Sequence, residues 1–148
     1  MIKHLVLLAL MPVQAAACDH LMIHGASWHS DRDLLGDRYE LNEANFGLGC
    51  RVDDVFEIGS LTVDVEGGAY NNSLHQLSVY GLTDITASNG LGVFVGRASG
   101  YGNELHVEGL IAGGVHQGKH VTTRVSPTYN NTTGQWGYIV GLSLDIPL

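Results

Sequence analysis

Prolines are scarce in this chain, three in 148 residues, and so are cations, with Lys and Arg totalling seven against fifteen acids. The first scarcity leaves almost every backbone N–H free to donate along extended strands, since each proline removes a ladder hydrogen bond. The second excludes a nucleic-acid binder, because no basic patch stands out to neutralise phosphates. Charged residues make up only 15% of the chain, too few for a disordered protein held open by self-repulsion. Helical periodicity is missing as well. Beyond the opening segment no apolar run reaches the ~18 to 20 residues that a membrane helix needs. A membrane-embedded form must therefore be a barrel.

The opening segment does not belong to the fold. Lys3 gives a positive start, His4 to Val13 a short apolar stretch, and Ala15-Ala16-Ala17 the small residues a signal peptidase accepts. Residues 1–17 read as a secretory signal peptide. Cleavage after Ala17 leaves one domain, Cys18 to Leu148, of 131 residues with a formal charge of about −9. Lipidation of Cys18 is an alternative, but Ala15 stands where such sites usually carry a branched apolar residue. Cys18 and Cys50 are the only cysteines, and a pair in an exported chain suggests one disulfide. Two unpaired thiols are the other possibility.

What the chain has in quantity is glycine, 20 residues, and alternation with period two. Leu61, Val63 and Val65 alternate with Ser60, Thr62, Asp64 and Glu66. Tyr138, Val140, Leu142, Leu144, Ile146 and Leu148 share one face, with Gly141, Ser143 and Asp145 on the other. Leu105, Val107, Ile111 and Val115 likewise oppose His106, Glu108, Ala112 and His116. Eight candidate strands follow: Leu21 to His29, Ala44 to Arg51, Ile58 to Tyr70, His75 to Asp84, Gly90 to Ala98, Leu105 to His116, His120 to Ser126, and Trp136 to Ile146. Most approach the ~9 to 11 residues that cross a bilayer at a barrel tilt.

Alternation alone does not separate a soluble sandwich from a membrane barrel. The signal peptide, the even strand number and a last strand apolar at every second residue favour an all-β, eight-stranded antiparallel up-and-down transmembrane β-barrel, embedded as a monomer in the bacterial outer membrane. Connection lengths agree, with short inner turns at Val52 to Glu57, Ile85 to Asn89 and Gln117 to Lys119, and longer outer loops at Ser30 to Glu43 and Pro127 to Gln135. Trp28, Tyr70, Tyr80, Tyr101 and Trp136 near strand ends suit interfacial belts.

Parity turns this fold into a functional statement. Odd strands of an up-and-down barrel finish on one rim, so His29, ending the first strand, and Ser73, in the tight turn Asn71-Asn72-Ser73-Leu74 after the third, should share the outer edge. Cys18 and Cys50 fall on the opposite rim.

A resemblance appears on these residues. Ser27-Trp28-His29, Asp37-Arg38-Tyr39-Glu40, Asn42-Glu43 and Phe46-Gly47-Leu48-Gly49 resemble the start of the lipid A palmitoyltransferase (PagP) family of outer-membrane barrels. Gly68-Ala69-Tyr70-Asn71-Asn72-Ser73 is similar to that family's second catalytic segment, and Pro127-Thr128-Tyr129-Asn130-Asn131 to its later proline-containing turn. The resemblance implies an enzyme that moves a palmitoyl chain from a phospholipid donor to a lipid A acceptor. It implies catalytic roles for His29 and Ser73, and it places Asn72 where better-known members carry aspartate. An amide there hydrogen-bonds an imidazole but does not stabilise its charge. The amphipathic helix ahead of the barrel in those members has no room between Cys18 and His20.

Acyl transfer needs a nucleophilic hydroxyl, a base and donors for the oxyanion. His29 can deprotonate either an acceptor sugar hydroxyl or Ser73, while Ser73, Asn72 or turn N–H groups bind the oxyanion. Gly92, Phe94, Gly96 and Ala98 are expected to border an acyl slot above a polar plug of Glu66, Glu108, Asp64 and Arg124. No cofactor or metal is called for. His106, His116 and His120 lack an acidic partner at fixed spacing, and Gly47-Leu48-Gly49 and Gly90-Leu91-Gly92 lack a phosphate loop's strand-to-helix setting. Asn-Asn-Ser is also plain turn chemistry. Two further readings stand beside the enzyme: a non-enzymatic small outer-membrane barrel that modifies the cell surface through its outer loops, and a soluble periplasmic lipid-binding barrel.

Overall fold

The computed structural model describes residues 18–30, 42–100, 109–130 and 134–148. The signal peptide read at 1–17, the Asp37 to Glu40 motif, Asn131, and the candidates Tyr101, Leu105, His106, Val107 and Glu108 lie outside the described residues. Eight strands run in order: β1 (His20–His29), β2 (Gly47–Ile58), β3 (Leu61–Asn71), β4 (Leu77–Ala87), β5 (Leu91–Ala98), β6 (Leu110–Gln117), β7 (Val121–Asn130) and β8 (Gln135–Pro147). Each pairs antiparallel with its sequence neighbour, and β8 returns to β1, closing the barrel. The all-β, eight-stranded antiparallel barrel expected from alternation is the fold observed.

Some boundaries differ, for a local reason. Val52 to Glu57, expected as an inner turn, lies within β2, and the chain reverses instead at Gly59 and Ser60, with Gly59 at φ 65°. Val52 pairs with Val65 and Phe56 with Val63, so Asp53, Asp54 and Val55 bulge opposite Asp64 alone. Asp54 adopts φ 53° there and donates its N–H to the Asp64 carboxylate at 2.9 Å. The Asp-Asp pair signals a left-handed backbone in sequence; here that conformation kinks a strand without reversing it. The outer turn is also longer than expected, running from Asn72 to Gln76 between β3 and β4.

Side chains divide by face. Phe46, Leu77 and Trp136 stand on the outside, each at least 70% exposed, whereas Glu66 and Asp84 in the lumen are at most 1% exposed. Strand β6 departs from the expected sorting. Val115 is buried and Ile111 faces the internal cavity, while His116 points outward. Pairing with β5 decides this, because Leu91 lies opposite His116 and Val93 opposite Gly114. The outer face of β6 is thus built partly from small residues.

The lumen is closed by two layers of charge. In the upper layer Arg124 binds Glu66 at 2.6 Å and Asp84 at 2.7 Å, and Gln117 donates to Asp84 at 3.0 Å. Tyr80 donates to Glu66 at 2.6 Å, and its oxygen accepts from His24 Nε2, also at 2.6 Å. His24 Nδ1 is then left to accept the Ser143 hydroxyl at 2.8 Å. In the lower layer Arg51 binds Asp145 at 2.6 Å and Asp53 at 2.7 Å, with His20 bridging the same two acids. Gly49 and Gly68 make room for this network, since a Cβ on either would collide with the Tyr80 ring or its hydroxyl. That is the use of Gly47-Leu48-Gly49 in this fold. Outside the lower half, Cys18 and Cys50 form a disulfide with an S–S distance of 2.07 Å.

One seam is short. β6 and β7 pair only from Gly114 opposite Val125 to Gln117 opposite Thr122. Above that, Pro127 has no N–H to offer, and the Ala112 carbonyl is satisfied by the Ser126 hydroxyl at 2.8 Å.

Candidate active site

His29 reaches the lumen because of one inserted residue. In the β1–β8 ladder His24 lies opposite Ser143 and Ala26 opposite Leu142, which leaves Gly25 as a bulge. His24 faces inward, so strict alternation would turn His29, five residues on, to the outside. The bulge reverses the parity above it, and His29 is buried.

Ser73 arrives from the β3–β4 turn, and Asn72 shapes that turn. The Asn72 side-chain oxygen accepts the N–H groups of Leu74 and Gln76, both at 2.9 Å. Its amide nitrogen donates to Ser78 Oγ and to the Gly100 carbonyl, both at 3.0 Å. Those four bonds use the full capacity of an amide, and none goes to His29. The structure therefore places Asn72, expected beside the imidazole as a catalytic group, in the framework that fixes Ser73. Its neighbour His75 takes φ 59° to complete the reversal.

The two groups expected to share a rim meet there. Ser73 Oγ lies 2.9 Å from His29 Nε2, with both residues buried. A serine hydroxyl donating to Nε2 leaves the proton of a neutral imidazole on Nδ1. That nitrogen faces the Glu43 carboxylate at 4.0 Å.

Glu43 belongs to the irregular segment 42–46 ahead of β2, which is stitched to both sides of the site. Ser27 N–H donates to the Glu43 carbonyl and Asn42 N–H to the Ser73 carbonyl, each at 2.9 Å. Asn42 Nδ2 reaches the Asn72 carbonyl at 3.2 Å, and Asn45 Nδ2 the Asn71 carbonyl at 3.0 Å. Ser27 Oγ closes the set by donating to Asn45 Oδ1. Sequence reasoning gave Glu43, Asn45 and Ser27 no role of their own. Asn42-Glu43 stood out only as part of a motif, and no spacing reveals bonds that cross from a loop to two strands.

Below Ser73 lies a cavity of about 150 Å³. Leu82, Phe94, Ile111 and Ile139 give it apolar walls, and His24, Tyr80 and Arg124 of the upper charged layer form its floor. Of the residues expected to border an acyl slot, Phe94 does so and Ala98 packs with Tyr80 and Leu82. Gly92 and Gly96 instead lie against the backbone of β4. Of the expected plug, Glu66 and Arg124 are paired, whereas Asp64 serves the β2 bulge. Among the described residues no group of three or more His, Cys, Asp or Glu side chains is placed to hold a metal ion.

Fold and site together define a class: a closed barrel that carries a buried alcohol–imidazole pair at one mouth, above an apolar-walled cavity. The chain matches no protein-family model and no curated protein.

Proposed function

We propose that the protein is an outer-membrane acyltransferase that moves an acyl chain from a phospholipid to lipid A. The observation that carries this reading is the Ser73–His29 pair at 2.9 Å, buried at the mouth of a cavity with apolar walls. An apolar-walled slot beside a hydroxyl paired with a base is what transfer of a fatty acyl group requires. The Ser73 N–H, for which no acceptor is found among the described residues, is the turn's candidate donor for the oxyanion.

The distribution of apolar surface supports the location. A soluble lipid-binding barrel hides its oily face inside, whereas this one turns Phe46, Leu48, Leu77, Val79 and Trp136 outward and keeps its carboxylates in the lumen. Ringing a closed cylinder with aliphatics suits lipid, and closure removes the free edges of an open sheet everywhere but along the upper part of the β6–β7 seam. The pairs Trp28–Tyr138 and Tyr129–Trp136, with ring centroids 5.5 Å and 4.9 Å apart, lie at the outer ends of β1, β7 and β8, where an interfacial belt belongs. The short β6–β7 seam offers a lipid molecule a side entrance near the same rim.

Cavity size bears on the chain transferred. An apolar cavity of about 150 Å³ is enough for one benzene ring. A cavity of that size is smaller than a palmitoyl-length chain, which would have to extend beyond it.

Lipid A mass spectra from cells making the wild type, His29→Ala or Ser73→Ala test the proposal. Added acyl mass is expected with the wild type alone. If the wild type adds none while the barrel reaches the outer membrane in its heat-modifiable form, the acyltransferase reading fails and a non-enzymatic surface barrel takes its place.

A further inference from the structure

We infer that Ser73 is a covalent nucleophile and that Glu43 is the positioning residue that holds His29 ready to activate it. The inference rests on the acyl-transfer reading of this site and settles which hydroxyl the imidazole serves. Two roles were open to His29: to deprotonate an acceptor sugar directly, or to deprotonate Ser73. Ser73 Oγ lies 2.9 Å from Nε2, and with the serine hydroxyl assigned as donor it occupies that lone pair. An acceptor hydroxyl must displace that contact, whereas Ser73 needs no movement at all.

The other side of the ring fixes the direction of proton flow. With Nε2 accepting, the ring proton sits on Nδ1, and among the described residues the Glu43 carboxylate stands 4.0 Å from that nitrogen. This separation is longer than a hydrogen bond, but catalytic contacts are often loose before substrate binds and tighten afterwards. Little movement is needed, because the backbone of Glu43 is anchored to Ser27 of β1 and that of its neighbour Asn42 to Ser73 itself. One hydrogen-bonded unit therefore carries nucleophile, base and carboxylate. The Glu43 carboxylate is partly exposed and the His29 imidazole buried, at 26% and 5% side-chain exposure, and once drawn within hydrogen-bond reach the carboxylate would hold the ring in the required tautomer.

The reaction balances within these groups. As Ser73 Oγ bonds to the donor's acyl carbon, its proton passes to His29 Nε2; the donor's ester C–O bond then breaks and the departing alcohol takes that proton. An acceptor alcohol next gives its proton to Nε2 and attacks the acyl carbon. The bond from Ser73 to the acyl group breaks, and Oγ recovers the proton. Glu43 remains a carboxylate throughout.

The test uses the folded full-length barrel in detergent and a long-chain fluorophosphonate, which marks activated serines without needing the natural lipids. Intact and peptide mass should show one adduct, on Ser73, absent from Ser73→Ala and His29→Asn. Glu43→Gln should label roughly tenfold to a hundredfold more slowly. Glu43→Asp should recover part of the rate, and Glu43→Ala should be accelerated by added formate but not by chloride. Formate rescue separates positioning from a merely structural role, and heat-modifiable migration identifies variants that fail to fold. Wild-type labelling of Glu43→Gln, or an adduct elsewhere than Ser73, overturns the inference. An adduct on Ser73 without any change in cellular lipid A leaves the inference standing and sinks the lipid A reading. Lipid A acylation that persists in Ser73→Ala does the reverse.

Discussion

The middle of the lumen and its outer mouth are both polar and both buried, yet they are built on opposite principles. In the middle, each guanidinium is held by two carboxylates, Arg124 by Glu66 and Asp84, Arg51 by Asp145 and Asp53. Charges there are spent on one another. At the mouth a single hydroxyl meets a single imidazole, with a carboxylate close by and a cavity beneath. Polarity that is mutually satisfied closes a cylinder and stabilises it, whereas a hydroxyl paired with an imidazole beside a cavity is equipped for chemistry.

Arg124→Met breaks the comparison on the side of stability and should have the largest effect. It leaves Glu66 and Asp84 buried without their cation, which typically costs about 3 to 5 kcal/mol. Urea unfolding of the barrel in lipid, followed by loss of heat-modifiable migration, measures this. A variant as stable as the wild type would mean that the upper layer does not hold the cylinder together.

Asn72→Asp comes next and sharpens the border between the two regions. An aspartate keeps the acceptor for Leu74 and Gln76 but loses both donors, leaving Ser78 Oγ and the Gly100 carbonyl facing a carboxylate in a site with no exposure. The expected cost is about 2 kcal/mol, read in the same unfolding assay, with fluorophosphonate labelling reduced rather than raised. An increase in labelling would show that the residue acts on the imidazole after all.

Ser73→Ala inverts the pattern of Arg124→Met. Removing the hydroxyl deprives the buried His29 Nε2 of that contact and should cost about 1 to 2 kcal/mol, well below Arg124→Met, while labelling and any transfer fall to background. A large loss of stability would make the serine part of the framework.

This division was partly legible in the sequence. Alternation gave the strands, and strand parity placed His29 and Ser73 on one rim, because both depend only on the period of a strand and the direction of successive strands. Register was not legible. The Gly25 bulge reverses the alternation with one inserted residue and so aims His29 inward, while the Asp53 to Val55 bulge inserts two, keeps parity and carries β2 on to Ile58; a face-by-face pattern marks neither. β6 misled for a related reason. Its two faces carry similar apolar content, so only the pairing with β5 chooses between them. Glu43 was hidden because its position depends on hydrogen bonds from segment 42–46 to β1 and to the Asn72–Gln76 turn.

The smallest effect is expected where an arginine stands on the opposite side of the wall. Arg97 is exposed on the outward face of β5, in line with Leu91, Val93 and Val95, and the strand register sets it between Gly81 and Leu110. It has no acidic partner among the described residues. An unpaired guanidinium is tolerated on a lipid-facing wall only near the interface, where its cost falls to about 0 to 1 kcal/mol against about 2 to 4 at the midplane. Arg97 is the second-last residue of β5 at the end that carries the Ser73–His29 pair, so Arg97→Leu should change stability by no more than about 1 kcal/mol and leave Ser73 labelling unchanged. A gain of several kcal/mol would place this level of the barrel deep in hydrocarbon, and the mouth with its serine would then sit below the headgroups instead of among them.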